Sequence, residues 1–78
     1  MARGYVFVDT EVGKGQEVRD HLLKTPGIVA ADLVMGPHDL VVVIEEPTIE
    51  EVGRVVVRDL HGTPGVKNTI TMIVINRD

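Results

Sequence analysis

Four consecutive residues, Gly36, Pro37, His38 and Asp39, hold the densest chemistry in the chain. Glycine permits close backbone approach, and the amides of a tight turn can form a small anion-binding concavity. Asp39 offers a carboxylate to an ammonium group, and His38 offers a flat ring with a donor. Together they can hold a zwitterion such as an amino acid. The same residues also suit an ordinary β-turn with Asp39 bonded to its own loop backbone. Residue types alone leave both readings open. Thr69 and Thr71, two apart, place two hydroxyls on one face of a strand, with Ile70, Met72 and Val74 on the other. They can line a polar strip, or simply reflect the β-propensity of threonine.

Other constellations fail on composition or spacing. The chain has no serine and no cysteine, which excludes a Ser-His-Asp triad, disulfides and thiolate metal sites. Gly13-Lys14-Gly15 lacks the third glycine of a phosphate loop, Val18 standing in its place. His21, His38 and His61 have no metal-ligand spacing, and His21 is expected to pair with Glu17 one helical turn away. Glu45, Glu46, Glu50 and Glu51 read as a solvated face that complements a helix dipole. No catalytic constellation emerges, so no enzyme activity, metal or cofactor is expected.

The elements that must position these residues follow from pattern. Residues 4–10 are β-branched and aromatic and read as a strand. Residues 15–24 read as a helix, with Val18 and Leu22 on its apolar face. Thr25-Pro26-Gly27 stops it in a type II turn, since proline presets φ and glycine accepts φ > 0. Residues 28–35 and 40–45 read as strands joined by the short turn 36–39. Thr48 and Glu51 form a capping box for a helix over residues 49–61, with Ile49, Val52, Val56 and Leu60 as its buried stripe. Residues 66–76 read as the last strand.

The order is β-α-β-β-α-β, and the two halves echo each other. Thr25-Pro26-Gly27-Ile28 recurs as Thr63-Pro64-Gly65-Val66, with Leu22 matched to Leu60 and Val18 to Val56. The expected fold is α+β and ferredoxin-like: a four-stranded antiparallel sheet with both helices on one face, as one domain over residues 1–78.

Composition adds a further requirement. With 44% apolar residues in 78, the strands do not alternate cleanly; Leu40-Val41-Val42-Val43-Ile44 and Tyr5-Val6-Phe7-Val8 are apolar at both parities. A solvated sheet face would be polar at every second position. The helix-free face must therefore be covered, most simply by a second copy in a two-fold, barrel-like dimer. Covering it stabilises by on the order of 10 kcal/mol at ~25 cal/mol/Å², an upper bound before association costs. A net charge of −4 and 3% aromatic residues argue against direct nucleic-acid binding. The longest apolar run is far too short for a membrane span, and a chain without cysteine or signal segment is expected in the cytoplasm.

The helix-ending Pro-Gly turn in both halves, the hairpin Gly36-x-x-Asp39, the phrase Glu-Glu-Val-Gly-Arg-Val-Val-Val and the closing Thr-Ile-Thr-Met-Ile-Val occur in one order across the chain. In this the chain resembles the effector-binding domain of the Lrp/AsnC transcription regulators. The resemblance implies the fold above, pairing through sheets, and further assembly into octamers or other rings of dimers. It implies binding of an amino acid or related metabolite at contacts between dimers. It places Gly36, Pro37, His38, Asp39, Thr69 and Thr71 in the effector pocket, with His38 where the family mostly has Tyr or Phe. It also implies a stand-alone form without the family's helix-turn-helix domain. Such a module either senses a metabolite or serves only to co-assemble with a full-length regulator; a small dimeric-barrel enzyme is the more distant alternative.

Overall fold

A computed structural model describes residues 1–76. Strand β1 (Ala2–Thr10) leads to helix α1 (Gly15–Leu23), strands β2 (Ile28–Leu33) and β3 (Leu40–Glu46), helix α2 (Ile49–Val55), a π-helical turn (Val56–Leu60) and strand β4 (Val66–Ile73). The sheet is antiparallel in the order β2-β3-β1-β4. This is the ferredoxin-like βαββαβ arrangement that the element order implies. Among the described residues no helix is long and apolar enough to cross a membrane.

The two halves repeat in hydrogen bonds as well as in sequence. Gly27 and Gly65 both take positive φ, 93° and 97°, where a Cβ would be strained. Ile28 N–H donates to the Thr25 carbonyl in one turn, and Val66 N–H to the Thr63 carbonyl in the other. Each helix end is fastened by the threonine of its turn: the Thr25 hydroxyl lies 3.4 Å from the His21 carbonyl, and the Thr63 hydroxyl 2.6 Å from that of Asp59. The second fastening is buried and the first exposed.

The core lies between the sheet and the helices. Val6, Val8, Leu40, Val42 and Ile44 from the central strands meet Val18, Leu22, Val52, Val55 and Leu60 from the helical layer, all essentially inaccessible to solvent. Thr48 caps α2 by accepting the Glu51 N–H at 3.2 Å, one half of the capping box, while the Glu51 carboxylate accepts from the Thr48 hydroxyl at 3.3 Å and not from its amide. The buried stripe differs from expectation at one end: Ile49 is 56% exposed and Val55 is buried instead. The helix approaches the sheet one turn after Ile49, where a Cβ on Gly4 would come within 2.9 Å of Val52. The second helix is also not uniform. His61 N–H donates to the Val56 carbonyl, five residues back, so its last turn is widened.

Three element boundaries move by two or more residues. Strand β2 stops at Leu33, not residue 35, and β4 at Ile73, not residue 76. The hairpin loop therefore spans residues 34–39, closed by Val34 N–H donating to the Asp39 carbonyl. Strand β1 starts at Ala2 because it pairs with β3 as far as Glu46.

The helix-free face carries Tyr5, Phe7, Val41, Val43, Ile70 and Met72, in cross-strand register and only partly buried within one chain. Polar pairs bracket this apolar centre. Arg3 Nε donates to Glu45 Oε2 at 3.0 Å at one end, and His38 meets Asp9 at the other. Tyr5, and secondly Glu45, hold the Arg3 guanidinium above its ordinary pKa, so it stays cationic.

Candidate ligand-binding site

The hairpin loop is tied to β1 by three separate contacts. The Asp39 N–H donates to the Val8 carbonyl at 3.0 Å. The Asp39 carboxylate accepts the Thr10 N–H at 2.9 Å, with the Thr10 hydroxyl at 3.4 Å. His38 Nδ1 lies 2.9 Å from Asp9 Oδ1. A carboxylate only accepts, so Nδ1 carries the proton, and in the neutral ring Nε2 is left as an acceptor. The imidazole also stacks on Phe7, with centroids 5.1 Å apart and planes 25° from parallel. Asp39 is thus a turn residue, but its side chain reaches the neighbouring strand and not its own loop.

This anchoring leaves a small cavity of about 170 Å³ beside the loop, walled by Phe7, Val34, Met35, Pro37 and Val41, with Gly36 and His38 at its edge. The walls are apolar. The one side chain with a polar group in its lining is His38, whose ring already holds a hydrogen bond to Asp9. Gly36 and Pro37 are themselves exposed.

Thr69 and Thr71 lie elsewhere. They pair across β1 with Val8 and Val6, whose side chains are buried beneath the helices, so both hydroxyls are on the helix side of the sheet. Thr69 Oγ1 is 2.9 Å from His61 Nε2, at a cleft of about 350 Å³ between the helix end and β4. Thr71 is exposed. Within one chain the six residues thus form two groups: four on the hairpin, where His38 packs on the helix-free face, and two on the helix side, with β1 between them. The cavity at the hairpin and the cleft at His61 share no lining residue.

Four further residues belong to these groups: Phe7, Asp9 and Thr10, which hold the hairpin, and His61, which holds Thr69. The first three become visible only once the register of β1 against β3 is known. His21 does not take Glu17 as its partner; Glu17 lies 3.7 Å from Lys14 Nζ instead. Among the described residues no group of His, Asp or Glu is gathered for a metal.

The sequence matches the Lrp/AsnC ligand binding domain over residues 3–77. The chain belongs to that family. An uncharacterised HTH-type transcriptional regulator of Pyrococcus horikoshii is 34% identical over 58 residues, covering 74% of this chain and 39% of that protein. The Lrp/AsnC-type chain described here therefore spans about two fifths of the length of that curated relative. The crystal structure of a hypothetical protein from the same organism superimposes with a TM-score of 0.91 at 30% identity, covering 99% of this chain and 93% of the other. A Neisseria meningitidis transcriptional regulator in complex with L-Met shares the fold, with a TM-score of 0.84 at 14% identity, over 96% of this chain and 50% of that one.

Proposed function

We propose that this Lrp/AsnC domain binds an amino acid or a closely related small metabolite, and that it does so as a homo-oligomer built on the helix-free sheet face. The observation that carries the reading is the anchored hairpin: an apolar cavity of about 170 Å³ lined by residues 34–38, followed directly in the chain by Asp39, whose carboxylate is held in place by the Thr10 amide. That volume is below the ~300–1,000 Å³ of drug-sized pockets and suits one small apolar side chain. Asp39 uses one of its carboxylate oxygens on Thr10, which leaves the other to accept from a ligand ammonium. Binding of L-Met by the Neisseria relative supports the same ligand class. The division of Thr69 and Thr71 from the hairpin supports a site completed between copies, one chain giving the apolar pocket and another the hydroxyls. The match to HTH-type regulators supports a role in transcription regulation.

A thermal-shift screen against the twenty amino acids, combined with a mass measurement of the assembly, tests this. A shift for one or a few amino acids with apolar side chains is expected. Asp39→Asn keeps an oxygen for the Thr10 amide but loses the counter-charge. It should fold, assemble, and bind the same ligand about 30- to 1,000-fold more weakly, the loss of one charge-assisted partner. Unchanged affinity would make Asp39 a turn residue only. The absence of any shift, with capture into a mixed complex with a full-length regulator, would favour a purely structural module.

A further inference from the structure

The cleft at the end of the second helix is a different kind of surface from the hairpin cavity. His61, Lys67 and Thr69 line it, with Val66 and Asn68 completing the walls. The chain's internal repeat supplies a control for it. Leu23 occupies the place of His61 at the end of the first helix, Val29 the place of Lys67, and Ala31 the place of Thr69. The glycine turn with positive φ is the same in both halves, although the last helical turn before it is widened only in the second. Each following strand even carries its extra, bulged residue at the same point: Val29 lies between the partners of Ile44 and Val43, and Lys67 between those of Thr10 and Asp9. A bulge re-aims the side chain it carries.

The fold accepts apolar residues at two of these positions even where they face water, since Leu23 is 43% and Val29 55% exposed, while Ala31 is buried. Exposure alone therefore does not call for a base and a cation in the second half. Two of the nearby acids are engaged elsewhere: Asp59 pairs with Arg58 at 2.9 Å, and Asp9 pairs with His38 on the opposite face, while Glu11, whose N–H donates to the Gly65 carbonyl, is the exposed acid beside the turn. In a chain of net charge −4, the cleft presents donors and a positive charge.

We infer that this cleft is a carboxylate-binding site, in which Lys67 supplies the charge and His61 sets the Thr69 hydroxyl. When His61 Nε2 donates to Thr69 Oγ1, the Thr69 proton is released to donate into the cleft. A carboxylate there accepts that proton's hydrogen bond and the Lys67 ammonium's. The inference deepens the proposed function by naming the residues that would take the acid end of the metabolite, and rests on it only in giving Thr69 a ligand role.

The test uses acetate, which needs neither the hairpin nor an amino-acid effector. Amide chemical shifts of the ¹⁵N-labelled chain are followed during titration with sodium acetate, against sodium chloride at equal ionic strength and constant pH. Saturable shifts at Lys67, Asn68 and Thr69 are expected. They should weaken about tenfold or more in His61→Leu and in Lys67→Val, which install the residues the first half already carries. Acetate shifts no larger than those of chloride, or equal saturation in both variants, would overturn the site. The amino-acid screen and Asp39→Asn report on the hairpin separately. Acetate binding without any amino-acid binding would sink the effector reading and keep the cleft. Amino-acid binding that both variants leave intact would do the reverse.

Discussion

The two faces of this sheet are built from nearly the same residues and end in different states. On the helix side Val6, Val8, Leu40, Val42 and Ile44 are wholly buried by the chain's own helices. On the other side Tyr5, Phe7, Val41 and Val43 alternate with them along the same strands and remain part-exposed, and Ile70 and Met72 on β4 are 49% and 44% exposed. Apolar burial is set by what packs on a face, not by the residues alone. One face is satisfied within the fold, and the other has the composition of a core with half its contacts missing. The candidate site residues follow the same division. The hairpin site grows from the rim of the unsatisfied face, through His38 on Phe7, whereas the His61–Thr69 cleft opens on the satisfied one.

Val42 and Val43 make the sharpest test of this contrast, being identical, adjacent and on opposite faces. Val42→Asp places an uncompensated charge beneath the helices and should cost about 4 kcal/mol or more, most of a small domain's stability. Circular dichroism should show an unfolded chain. Val43→Asp should leave the secondary structure intact while weakening self-association by roughly 100-fold or more, as a like-charge pair across a two-fold interface does. If both variants unfold alike, the helix-free face is part of the monomer's core and the contrast fails.

Smaller effects sharpen the comparison within the helix side. Gly27→Ala should destabilise by about 1–3 kcal/mol, because φ is positive there and the new Cβ would meet Glu46 and Val55. Denaturant unfolding measures it, and a neutral result would mean the turn relaxes freely. Thr63→Val should cost about 1 kcal/mol, for a buried hydroxyl lost from the Asp59 carbonyl. Thr25→Val should cost clearly less, its equivalent contact being longer and exposed. Equal losses would show that the two halves are fastened alike. Arg3→Ala should leave the thermal midpoint unchanged within error, since it removes an exposed ion pair at the sheet's rim.

Local pattern made most of the fold legible. The Thr-Pro-Gly turns, the Thr48 N-cap and the apolar runs at both parities all depend on neighbouring residues, and each appears where spacing puts it. What was not legible depends on register between distant strands. The hairpin loop is longer than its Gly36–Asp39 motif because the β2–β3 pairing ends at Leu33 and Leu40 and Val34 closes on Asp39, and Asp39 in turn bonds to Val8 and Thr10, which pattern alone does not bring near. The exposure of Ile49 depends on where the helix meets Gly4. The face that Thr69 and Thr71 share with Val8 and Val6 follows only from the β1–β4 pairing. The candidate site is therefore legible in its residue types and not in its division between two faces. His61 carried one signal within the chain itself, its mismatch with Leu23 in the repeat.

The central claim is that the helix-free face is covered by another copy of the chain, and sedimentation velocity at micromolar concentration addresses it most directly. The account predicts a species of at least twice the 8.5 kDa chain mass, dissociating to folded monomer in Val43→Asp. A wild-type chain that sediments as a folded 8.5 kDa monomer would contradict it.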